Sequence, residues 1–201
     1  MGEGQQKQGV MCMLTESQLK ALIRGERISS RHPYDTADEQ AFVNYLQFIQ
    51  AEMARSGIQC RVSENHFGDS YASYVQLLCY EHEHQIVVGR EETINGLHVL
   101  ISFLAPIVLI GQGEEITLYG DDGELEGGSY SILSEPSELV LPTTSLKQLA
   151  QKMERLFMKH HFTILHKEDV EKPLPFKAKI PTIFRRPRGY LIWDAIFYWK
   201  I

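Results

Sequence analysis

The run LHVLISFLAPIVLI at residues 97–110, returning after a short polar break as EITLY at 115–119, is the densest apolar stretch of the chain. A bilayer span needs about 20 apolar residues, so this run is too short, and His98, Ser102 and Pro106 interrupt it. With period two, Leu97, Val99, Ile101, Phe103 and Ala105 share one face, and His98, Leu100, Ser102, Leu104 and Pro106 share the other. Both faces are largely apolar, which predicts a central strand covered on both sides. Pro106 has no N–H to give to a ladder, so a bulge, a strand end or a sheet edge is expected there.

Helices are expected on both flanks of this strand. Thr15 followed by Gln18 has the capping-box spacing and starts a short helix to about Glu26, with Leu19, Leu22 and Ile23 inward. Thr36 with Glu39 repeats the pattern before a helix over 37–56, whose Phe42, Tyr45, Leu46, Ile49 and Met53 recur at helical spacing before Gly57. Pro142 and two threonines announce a third helix over 145–160, with Leu146, Leu149, Ala150, Met153, Leu156 and Phe157 on one stripe. The stripes beginning at Phe42 and Leu146 are the expected covers of the central strand.

Between 58 and 133 the pattern turns to period two and to β-favouring residues. Strands are expected at 58–63, 71–80, 85–88, 97–110, 115–119 and 129–133. Turn chemistry appears at 65–69, Asn95-Gly96, 111–113 and Asp122-Gly123, and connections this short imply antiparallel neighbours. After a short strand at 162–166, a segment with Pro173, Pro175, Pro181 and Pro187 reads as extended. The closing YLIWDAIFYWKI alternates cleanly, Leu191, Trp193, Ala195, Phe197 and Trp199 against Tyr190, Ile192, Asp194, Ile196 and Tyr198, which predicts a final strand. The expected architecture is a single α+β domain over 14–201 after a flexible start at 1–13: a mostly antiparallel sheet, two N-terminal helices, and one long helix in the C-terminal half packed on it.

With 201 residues, 43% hydrophobic and 23% charged, the composition is that of an ordinary globular chain. Cys12, Cys60 and Cys79 are an odd number without CxxC spacing, which indicates neither a disulfide framework nor a zinc knuckle and fits a reduced cytoplasm. The net charge of −6 conceals an asymmetry. Residues 1–145 carry 8 Lys and Arg against 21 Asp and Glu, a balance of −13, and residues 146–201 carry 12 against 5, a balance of +7. An acidic body and a basic tail either neutralise each other across one surface or leave one face free for an oppositely charged partner.

Three constellations could carry chemistry. In a strand, His82 and His84 of EHEH would share a face, the spacing by which β-sheet metal sites present two imidazoles; the competing reading is a polar hairpin end. Glu114 and Glu115, with Asp121, Asp122, Glu124 and Glu126, form an acidic segment that lacks the order of a calcium-binding EF-hand loop, and these six are the expected contacts for a basic protein partner. Lys177, Lys179, Arg185, Arg186 and Arg188, interleaved with Phe176 and Phe184, have the elements of a nucleic-acid surface, set against the overall acidity and the lack of any RNA- or DNA-binding signature. No nucleophile elbow, phosphate loop, dinucleotide fingerprint or HExxH is present, and neither a metal nor another cofactor is expected.

From Leu146 onward the order is an amphipathic helix, HHFTIL, EDVEKPLPF, a basic proline segment and YLIWDAIF. This organisation resembles the C-terminal part of small bacterial immunity proteins that accompany secreted toxins. The resemblance implies a cytoplasmic, non-enzymatic protein that neutralises a toxin by binding it. An acidic surface would suit a basic toxin. A metal-dependent enzyme at His82 and His84, and nucleic-acid binding through Arg185, Arg186 and Arg188, are the alternatives.

Overall fold

The computed structural model describes residues 14–62, 72–183 and 185–199. The turn expected at 65–69, the start at 1–13 and the aromatic at Phe184 lie outside them. The chain is α+β, with a mostly antiparallel sheet in which the strands run β1 (Gln59–Val62), β2 (Tyr74–Tyr80), β4 (Glu91–Ser102), β5 (Ile107–Tyr119) and β6 (Leu125–Tyr130). β3 (Gln85–Val88) also pairs with β4, and β7 (Thr163–Ile164) adds to β5 in parallel.

The apolar run that was expected to form one central strand is two. β4 and β5 make a long hairpin, Ile101 opposite Val108 and Glu91 opposite Leu118, with residues 103–106 as its turn. Pro106 does mark a strand end. The turn is held by the Phe103 N–H donating to Ser73 O at 2.9 Å and the Leu104 N–H donating to Ser102 Oγ at 3.1 Å. Asn95-Gly96 and 111–113, expected as turns, lie inside β4 and β5. Their glycines serve close packing instead: a Cβ on Gly96 would sit 2.6 Å from the Cys79 carbonyl oxygen, and one on Gly113 would sit 2.8 Å from the His98 nitrogen.

α1 (Glu16–Ile23) carries the expected capping box, with the Gln18 N–H on Thr15 Oγ1 at 3.2 Å and the Thr15 N–H on Gln18 Oε1 at 2.9 Å. α2 (Glu39–Arg55) starts later than expected, because the cap is Asp38 and not Thr36: Asp38 Oδ1 takes the Gln40 N–H, and Thr36 Oγ1 takes the N–H of Asp38 itself. It ends at Gly57 (φ +80°), where the Gly57 and Ile58 N–H groups return to Ala54 O and Met53 O, a Schellman closure. α3 (Thr144–Lys159) is capped by Thr143.

α2 and α3 do not sandwich the sheet. Both pack on the face of Val75, Leu77, Leu97, Val99, Ile101 and Val108. The opposite face, with Tyr74, Leu100, Ile107 and Leu109, is covered by α1 and by the C-terminal segment. That segment contains α4 (Lys167–Val170) and α5 (Ile192–Ile196). The final strand expected from alternation is therefore a short helix, followed by a single antiparallel bridge between Trp199 and Ala72. Buried Asp194 accounts for the difference: its Oδ2 takes the Leu191 N–H at 2.8 Å, which caps the turn and places Trp193, Ala195, Ile196 and Phe197 together in the core. Ser73 and Tyr198 then clip the segment to β2, and Tyr198 Oη donates to Leu22 O of α1 at 3.1 Å.

Candidate functional site

The EHEH segment is a 3-10 turn (His82–His84) between β2 and β3, and not a strand, so the two histidines part. His82 is exposed and His84 is buried. His84 Nδ1 accepts the Glu81 N–H at 3.2 Å, which leaves the proton on Nε2, 2.9 Å from Ser145 Oγ in the first turn of α3. Ser145 in turn donates to Glu83 Oε1 at 2.7 Å, and Lys152 pairs with Glu81 at 2.6 Å. Glu81, Glu83 and His84 bring one ligand atom each within 4.8 Å of one another. The lone pair of His84 that a metal would need is taken by a backbone donor, however, and one carboxylate is matched by a lysine. The same tautomer makes His84 a donor toward Ser145, opposite to what a base activating a hydroxyl requires. The turn pins the start of α3 to the sheet.

The sheet is coiled so strongly that Arg61 on β1 reaches over its concave face to acids on β4 and β5. Arg61 Nη2 lies 2.8 Å from Glu92 Oε2 and Nη1 lies 2.5 Å from Glu115 Oε1; Tyr119 Oη and Gln85 Nε2 also donate to Glu92. Burial alone would push the Glu92 carboxyl up, but the hydrogen bonds from Arg61 and Gln85 and the Arg61 charge outweigh it and hold it below its ordinary value. Beside this bridge, a cleft of about 640 Å³ opens between β1 and β6, lined by Arg61, Leu78, His98, Thr117 and Tyr130 among others. His98 is buried at its floor. Its Nε2–H donates to Ser131 Oγ at 2.8 Å and its Nδ1 accepts from Gln76 Nε2 at 3.3 Å, while Gln76 Oε1 takes the Leu133 N–H. Burial lowers its pKa to about 4. His98, Gln76, Arg61 and Glu115 of this cleft are thus held by hydrogen bonds and ion pairs with one another and with Ser131, Glu92 and Leu133.

The six acidic residues expected to form one surface are divided. Glu115 points into the cleft against Arg61, and Glu114 stands on the other face of β5. Asp121, Asp122, Glu124 and Glu126 are exposed in and beside the β5–β6 turn, where Asp122 Oδ1 accepts the Glu124 N–H and Arg90 reaches Asp121 at 2.9 Å. Sequence reasoning missed the apolar neighbours of this turn: Val87, Val88 and Leu125 are each more than 60% exposed, and Ile86 and Leu118 are also exposed. Among the described residues, β3 pairs with β4 alone, leaving its outer edge open. The strand at 85–88 was expected; that Ile86, Val87 and Val88 all meet solvent was not.

The basic tail is likewise divided. Arg185 donates to Asp194 Oδ1 at 2.8 Å and serves the core, and Phe176 packs on the second core with Lys20 above its ring at 4.9 Å. Lys177, Lys179, Arg186 and Arg188 are exposed. No helix among the described residues is long and apolar enough to cross a membrane. No family model, curated protein or solved structure matches this chain.

Proposed function

We infer that this chain is a non-enzymatic, cytoplasmic protein-binding module whose partner is a basic protein, in the manner of an immunity factor that occupies a toxin. The observation that carries the reading is the exposed acidic and apolar end of the sheet. Residues 85–94 and 114–130 hold six exposed acidic side chains, Glu91, Glu114, Asp121, Asp122, Glu124 and Glu126, and a single basic one, Arg90, together with exposed Val87, Val88, Leu118 and Leu125. An open strand edge supplies main-chain hydrogen bonds to an incoming strand, apolar side chains supply area, and the acidic rim speeds encounter with a positive surface.

The test is affinity capture from the source lysate at low and high salt, with the intact chain and with D121N/D122N/E124Q/E126Q. The amides keep the turn hydrogen bond at Asp122, so the fold should be unchanged by melting. A basic protein recovered by the intact chain, released by salt and lost with the amide variant is the expected result. Recovery that the variant leaves unaltered removes the acidic end from the contact.

A further inference from the structure

Cys60 and Cys79 face each other across adjacent antiparallel strands as register partners on β1 and β2, with their sulfurs 3.2 Å apart. A disulfide needs about 2.05 Å, so closure asks for a movement of about 1 Å, within reach of side-chain rotation. The two thiols differ in access. Cys79 is fully buried, whereas Cys60 is partly exposed and lines an open groove of about 580 Å³ with Gln50, Ala54, Gly57 and Gln59 at the end of α2. Met53 Sδ lies 3.1 Å from the Cys60 sulfur. One thiol is thus placed to meet a small oxidant and the other to resolve the product.

We propose that Cys60 and Cys79 are a reversible dithiol–disulfide modification site, oxidised by hydrogen peroxide and restored by small thiols. The Cys60 thiolate attacks one peroxide oxygen; the O–O bond breaks, the departing hydroxide takes a proton and leaves as water, and Cys60 becomes a sulfenic acid. The Cys79 sulfur then attacks the Cys60 sulfur, the S–S bond forms as the S–O bond breaks, and the second hydroxide leaves as water with the Cys79 proton. Two thiols lose two electrons and one peroxide becomes two waters. Burial raises the Cys79 thiol well above its ordinary pKa, which suits the resolving role and not the initiating one. The bond would staple the edge strand β1 to β2 across the segment at 63–71.

The experiment uses the full chain carrying Cys12→Ser, which removes the third thiol, exposed to hydrogen peroxide and then quenched. Both remaining thiols should disappear together, the intact mass should fall by two hydrogens, digestion should yield a linked Cys60–Cys79 peptide, and dithiothreitol should reverse all three. Thiols that persist, a gain of oxygen at Cys60 without a cross-link, or intermolecular dimers would each overturn the proposal. The order of attack is read with Cys60→Ser in the same background. Its Cys79 should survive the same dose, and oxidation of Cys79 at the rate of the paired protein would refute Cys60 as the entry point.

Discussion

Removing Arg185 should damage the fold far more than its place in an exposed basic segment suggests. Asp194 is completely buried, and its two oxygens are served by the Leu191 N–H and by Arg185 Nη1, each at 2.8 Å. Arg185→Met keeps much of the aliphatic stem but leaves a carboxylate in the core with one hydrogen bond and no countercharge. Breaking a buried pair from one side costs about 3–5 kcal/mol. The Arg185 side chain is 17% exposed, so water reaches the vacated site and the lower end, about 3 kcal/mol, applies. In a domain of this size that is a fall in Tm of about 6–12 °C. Asp194→Asn added to Arg185→Met still accepts the Leu191 N–H but removes the orphaned charge, so the double variant should be more stable than Arg185→Met alone. Urea unfolding followed by circular dichroism gives all three free energies. A single variant that loses less than about 1 kcal/mol, as exposed pairs do, or a double variant no better than the single, would refute the buried-charge account.

Two further outcomes follow from the site geometry. His98 has an ordinary pKa of 6.5 unfolded and about 4 folded, so its neutral form contributes stability that is fully present above pH 6.5, declines as pH falls and is gone below about pH 4. That contribution is about 3 kcal/mol, and His98→Gln should flatten the stability curve across this window; parallel curves for the two proteins would show that His98 does not set the slope. Gly96→Ala should lower Tm sharply, because its Cβ would meet the Cys79 carbonyl oxygen at 2.6 Å and backbone cannot give way, whereas Gly127→Ala, with nothing within 4 Å, should melt within a degree or two of the parent.

The three longer helices were legible because their evidence is local: caps at Thr15 and Thr143, stripes of four-residue recurrence, and a glycine at 57 in the left-handed region. Even there the cap of α2 passed from Thr36 to Asp38, two residues on, because both are competent acceptors and only the backbone decides between them. The hairpin hidden in residues 97–110 left no such mark. Both of its strands are buried on two faces, and its turn at 103–106 is closed by Ser73, just before β2, and not by glycine or asparagine. The C-terminal segment misled in a different way: five helical residues are fewer than two turns, too few to establish a period against perfect alternation. At the site, the acidic turn at Asp122-Gly123 was readable from turn chemistry. The Arg61 bridge and the Cys60–Cys79 contact were not, since each depends on how β1 registers against β2 across residues 63–71.

The division of labour within the sheet bears on the contact proposed for its acidic end. Edge strands in soluble proteins are commonly protected by charge, proline, a bulge or a cover, because an open ladder recruits other strands. β3 has none of these within its own length: Gln85, Ile86, Val87 and Val88 carry no charge, and three of the four are exposed apolar side chains. The helices that could have covered it are committed elsewhere, α2 and α3 to one core and α1 and α5 to the other. Glu91 stands opposite Val88 in the β3–β4 pair, while Asp121, Asp122, Glu124 and Glu126 lie beyond β4, in and beside the β5–β6 turn. Under the proposed function this acidity would disfavour acidic chains and favour a basic strand. Charge selection at an open apolar edge is the property that the proposed binding role calls for.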